Sequence, residues 1–341
     1  MSTTRQGLLA RLIKHAWLAP VAAVTVLFWL TIWIYSHLAP LAAGWGGNAA
    51  RSDAASAEFE SLSGMLWGSS AILFLSTTAA AAAVLVFTIC RSYKDHVNRR
   101  PSPGEALLVL VALALPVAPV LLPPFNREPF VTMEVVRLVL DPSIIGVVDF
   151  LWIATMLAAF LVMGGAAASL LATAHIRSRI QALPPREWDD DRRSRLITEL
   201  AGSLQSQSRR LQAVLFAGAA VLVAGVLEID ALYGWAISVA DLRWYPREAG
   251  RVITASATVP TGTFFSLFLA AAYIPAALIL RQQAAALAAT AVGAVAAAEQ
   301  SRWLQDNGLT TSIATQVSSL VALLGPILAG APLNAMAQAF G

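Results

Sequence analysis

Residues 211–237 read LQAVLFAGAAVLVAGVLEIDALYGWAI, and the fold class turns on this stretch. As a helix rising 1.5 Å per residue it would extend about 40 Å, more than the ~30 Å of hydrocarbon in a bilayer. Two charges interrupt it, Glu228 and Asp230, both towards its far end. A run of this length and composition predicts a transmembrane helix rather than the core helix of a soluble domain.

Similar runs occur at 16–35, 65–90, 106–125, 144–176 and 263–280. Across the 341 residues 57% are hydrophobic and 13% charged, where a soluble domain would carry roughly 25% charged. The chain is therefore expected to be all-α, a polytopic transmembrane helix bundle of about six spans. Residues 1–280 hold that bundle, including a cytoplasmic loop over 177–210. Residues 281–341 form a cytoplasmic Ala-rich stalk and a C-terminal tail. The run at 16–35 is read as a retained span, because it is longer than a signal-peptide core and lacks a convincing cleavage site.

Basic residues set the orientation. One set of loops carries 17 Lys and Arg and the opposite set 6, which places both termini in the cytoplasm. Trp29, Trp33, Trp45, Trp67, Trp152, Trp235 and Trp244 fall at outer span ends, against Trp17, Trp188 and Trp303 on the inner side. Indoles favour the headgroup layer, so the outer group reads as an anchoring belt. The third span contains Pro116, Pro119, Pro123 and Pro124 and is expected to kink, since each proline removes a backbone donor. The Ala-rich, apolar composition suggests a GC-rich bacterial genome and hence an inner plasma membrane.

Several function classes are disfavoured. With Cys90 as its single cysteine and four scattered histidines, the chain offers no disulfide, no metal cluster and no cofactor ligands. Nothing resembles a phosphate loop, a paired-His peptidase helix or a nucleophile elbow, so no enzyme is expected. The net charge of +3 follows the loops and forms no nucleic-acid footprint. Asp189, Asp190 and Asp191 precede a helical pattern with Leu196, Ile197, Leu200 and Leu204 on one face. They read as dipole-compensating acids at a helix start, with a divalent-metal cluster as the alternative.

Three groups remain as candidate sites. Asp149, Glu228 and Asp230 lie inside apolar runs near the outer side, where a charge is a functional hypothesis by default. The alternative is pairing with outer-loop Arg243, Arg247 or Arg251. Glu228 shares a small-residue stripe with Ala213, Ala217, Ala220, Ala224 and Ala231, which suits close packing against protein. Arg192, Arg193, Arg195, Arg209 and Arg210 are candidate contacts for anionic headgroups or phosphate.

The third group lies in the tail, which has no charged side chain after Asp306. There Ile313, Val317, Leu320, Val321 and Leu324 fall on one helical face, expected to pack on neighbouring copies or on the parent bundle. Gly325-Pro326 is expected to end that helix, and a seventh span over 309–328 is a further variant. Asn307-Gly308 is expected to stop the helix before it. The function expected is a homo-oligomeric channel or pore-like protein, with the lipid bilayer and further copies as partners. A small-molecule permease and an accessory subunit of a larger complex are the alternatives.

Overall fold

A computed structural model describes residues 57–94, 142–183, 190–239, 247–292, 297–310 and 313–340. The spans expected over 16–35 and 106–125, with the prolines of the latter, lie outside the described residues. The regular elements among the described residues are all α-helices: α1 (Ala57–Lys94), α2 (Pro142–Gln181), α3 (Asp190–Val239), α4 (Arg247–Val292), α5 (Ala297–Asp306) and α6 (Ile313–Phe340). Three contain stretches long and apolar enough to cross a membrane: Gly64–Thr88, Asp191–Ala236 and Thr261–Val292.

The long helices overrun the apolar runs that define them. α3 is one unbroken helix of 50 residues, about 75 Å long, and it joins the expected loop helix to the expected fifth span. Between Leu200 and Leu211 only Gly202 has poor helix propensity, and it stands in open space with no packing to lose.

α3 is also the hub of the bundle, packing on α1, α2, α4 and α6. Its neighbours α1, α2 and α4 run antiparallel to it, as the contacts along it show. Gly64 faces Trp235 and Gly225 faces Phe74 across α1 and α3, while Gly218 meets Val162 of α2 and Leu269 of α4. Two glycines set the approach of α2 to α3. A Cβ on Gly165 would come within 2.8 Å of a Val214 methyl, and one on Gly218 within 2.8 Å of a Val162 methyl. Each valine thus occupies the space a missing side chain leaves on the opposite helix. Small residues at the crossing are the usual device where lipid supplies no hydrophobic drive between helices.

The bundle has two halves of opposite surface. Around Leu222, Val226, Phe265 and Leu269, which are buried, the outside is also apolar: Leu66, Ile72, Phe87, Phe150, Leu157, Leu267 and Leu278 are all exposed. Soluble proteins rarely show so much large apolar side chain to solvent. The other half has an ordinary apolar core of Ile176, Leu200, Leu204, Leu280 and Leu287, packed by Trp303, Leu304 and Leu309. Its surface carries exposed Arg192, Arg195, Glu199, Arg281, Glu299 and Arg302.

α5 packs on α4 and ends at a turn whose bonds all close. Leu309 N–H donates to the Leu304 carbonyl at 2.8 Å and Gly308 N–H to the Gln305 carbonyl at 3.0 Å. These are the two bonds of a Schellman cap. Gly308 takes the left-handed conformation it needs, φ 64°, as the Asn307-Gly308 pair predicts.

α6 then runs antiparallel to α4. Tyr273 and Ser319 hydroxyls lie 3.4 Å apart, Gly262 faces Pro326, and Gly330 faces Thr258. The helix does not end at Gly325-Pro326 as expected; it continues to Phe340. A proline frees backbone groups, and a helix continues through one when a neighbour satisfies them. Here the Ile327 N–H donates to Ser266 Oγ of α4 at 3.2 Å.

Candidate functional site

Glu228 is the most enclosed acid among the described residues, 6% exposed within the apolar-surfaced half. α3 carries it on the face turned towards α1. There the Trp67 indole N–H donates to Glu228 Oε1 at 2.9 Å. Trp67 stacks on Trp235, with ring centroids 5.0 Å apart and planes at 25°. Gly64 makes this possible, since a Cβ there would sit 3.2 Å from the Trp235 indole nitrogen. Two helices are thus keyed together by an aromatic stack that also presents a donor to the carboxylate.

Asp230 lies two residues further along α3 and is half-buried. Asp149 belongs to α2. With Val162 opposite Gly218, the antiparallel register brings the Asp149 backbone level with about Ala231. The three candidate acids therefore share one height of the bundle. Arg243 falls outside the described residues, while Arg247 and Arg251 sit in the first turns of α4.

The five candidate arginines do not form one site. Arg193 is buried, and its guanidinium donates to the Thr290 carbonyl at 2.7 Å. Thr290 is in the last turn of α4, where carbonyls lack helical partners and a cation is favourable. Arg193 therefore caps α4 from α3. Arg192 and Arg195 are exposed beside it, whereas Arg209 and Arg210 lie along the same helix more than 20 Å away.

The apolar face proposed for assembly points outward. Val317, Leu320, Val321 and Leu324 are 55%, 56%, 56% and 41% exposed. The buried face of α6 is instead Ser319, Ala322, Pro326 and Gly330. Small residues there admit α4 closely. The side chain of Ile313 is outside the described set.

Two interior groups escaped the sequence reading. Gln207 and Gln283 are 4% and 6% exposed, and each has a side-chain oxygen without a hydrogen bond. Both interrupt otherwise apolar stripes, Leu200-Leu204-Leu211 on α3 and Ala276-Leu280-Leu287 on α4. A polar residue at the spacing of a buried face was the available signal. Compared with known proteins, the chain matches no family model, no curated protein and no solved structure.

Proposed function

We propose that the chain is an integral membrane protein of the channel or pore-like class, without catalytic chemistry of its own, that works as a homo-oligomer in a bacterial inner membrane. The observation that carries this reading is the buried Glu228 carboxylate, held by Trp67 inside the apolar-surfaced half. A carboxylate there is costly and marks an ion or solute path by default. Glu228 lies 17 residues beyond Leu211, about 26 Å along α3, and Asp230 and Asp149 share its height. These acids mark the outer mouth of the path, and the polar-surfaced half faces the cytoplasm, where the basic loops point.

α6 is a further membrane crossing on this reading, not a cytoplasmic tail. Its support is the register along α4, from Tyr273–Ser319 to Thr258–Gly330. It is 28 residues long, about 42 Å, of which Ala314–Gly330 is apolar. The C-terminus then lies outside, and the face of Val317, Leu320, Val321 and Leu324 is open to a second copy. A reporter that works only in the cytoplasm is expected to be silent at Gly341 and active when inserted after Arg195. Activity at both sites would return α6 to the cytoplasm.

Flux through liposomes containing the purified protein tests the path. Glu228→Gln is expected to cut the flux at least tenfold while the oligomer, sized in nanodiscs, is unchanged. Wild-type flux in that variant would remove Glu228 from any path. A permease is the second reading, because Glu228 and its donor Trp67 belong to one protomer. Saturable uptake by a monomer or dimer would favour it, whereas association only with other proteins would favour an accessory subunit.

A further inference from the structure

Four helices change from apolar to basic at one height. The switch falls at Cys90-Arg91 in α1, Ile176-Arg177 in α2, Arg210-Leu211 in α3 and Leu280-Arg281 in α4. The contacts between helices bring these points together. From Phe74 opposite Gly225, Arg91 of α1 comes level with about Ser208 of α3. From Arg179 bridged to Glu199 at 2.9 Å, Arg177 comes level with about Ala201. From Leu269 opposite Gly218, Arg281 comes level with about Ser206. With Arg209 itself, the four positions fall within about 12 Å of helix length.

The described side chains of this set, Arg177, Arg209 and Arg281, are exposed. Among the described residues acidic neighbours are few: Glu199 is taken by Arg179, and Asp306 stands at the end of α5. Guanidinium groups bind phosphate oxygens in pairs, and their long stems let the charge reach the headgroup layer from an apolar edge.

We infer that Arg91, Arg177, Arg209 and Arg281 form a collar that binds the headgroups of anionic phospholipids on the inner leaflet. The collar differs from the arginine group expected from sequence. Arg193 is committed to the end of α4, and Arg192 and Arg195 lie about 20 Å beyond Arg209 along α3. That is about two and a half times the ~8 Å screening length at physiological salt, so those two contribute little at the lipid surface. The collar rests on the membrane reading above, and its test separates the two.

Membranes carrying the protein are first washed with alkaline carbonate; release of the chain would defeat the membrane reading itself. Retained protein is then reconstituted with spin-labelled phosphatidylglycerol or spin-labelled phosphatidylcholine, and the motionally restricted fraction of each is measured. The wild-type chain is expected to enrich phosphatidylglycerol several-fold over phosphatidylcholine, with the preference fading at high salt. Replacing the four collar arginines by glutamine is expected to bring the ratio to about one. Arg177→Gln with Arg281→Gln alone, a milder variant should the fourfold one not insert, is expected to lose about half of it. Arg192→Gln with Arg195→Gln is expected to leave it intact. An unchanged ratio in the collar variants, or its loss in the distal pair, would overturn the collar. So would abolition of the preference by inorganic phosphate at constant ionic strength, which would make the ligand soluble phosphate.

Discussion

At Glu228 a single donor matters because so little else is at hand. The Trp67 indole supplies one hydrogen bond at 2.9 Å, and bonds of that kind contribute about 0.5–3 kcal/mol, most where the acid is ionised. Trp67→Phe keeps a ring against Trp235 but removes the donor, so thermal stability in detergent is expected to fall by a corresponding amount. In a Glu228→Gln background the same change is expected to cost less, because no buried charge is left short of a partner. Additive losses in that double-mutant cycle would show that the bond contributes nothing. The acid was legible in the sequence as a charge inside an apolar run, and its burial as part of a small-residue stripe. Its partner was not, because Trp67 is 161 residues away and a single sequence carries no register between helices. Trp67 was read only as a headgroup anchor, which its position at a span end suggests.

α6 shows where reading an element in isolation fails. Its apolar periodicity identified the helix, and of the two partners expected for the stripe of Val and Leu the parent bundle is not the one it faces. The face turned to α4 is Ser319, Ala322, Pro326 and Gly330, which leaves the stripe to a neighbouring copy on the proposed reading. Gly325-Pro326 was taken as a stop because proline breaks helices exposed to water. Ser266 of α4 takes up one backbone donor beside the proline by accepting the Ile327 N–H, and the helix continues. The Gly308 cap, by contrast, was legible because it is local chemistry. Gly262 is the most constrained point of this pairing, since a Cβ there would collide with the Pro326 carbonyl oxygen. Backbone cannot yield as a side chain can, so Gly262→Ala is expected to push α6 off α4 at a cost of about 1–3 kcal/mol. A disulfide between Ser266→Cys and Ile327→Cys, in a chain lacking Cys90, is expected to form readily and to fail once Gly262→Ala is added. Equal cross-linking in both backgrounds would show that α6 is not held there.

The whole molecule is held by two kinds of force. In the polar-surfaced half, burial from water is the drive, and Leu287, fully enclosed among Leu200, Leu204 and Leu280, is worth the usual large-to-small penalty. Leu287→Ala is expected to cost about 2–5 kcal/mol in thermal or denaturant unfolding; a loss below that range would mean the half is loosely packed. On the proposed membrane reading, lipid around the other half is as apolar as leucine, so fit at Gly165 and Gly218 replaces the hydrophobic drive. The boundary between these regimes has a further consequence. On the same reading arginines mark one edge of the apolar belt and the Trp67–Trp235 stack the other, and Leu211 to Trp235 measures about 36 Å along α3. A rigid belt with two polar rims is a calliper for bilayer thickness. The protein should tolerate long-chain lipids and resist short-chain ones, with unfolding temperature lower in dilauroyl than in dioleoyl phosphatidylcholine. In a cell, a membrane that thins under tension would press on both rims at once, so the distance between them is where mechanical load would enter this fold.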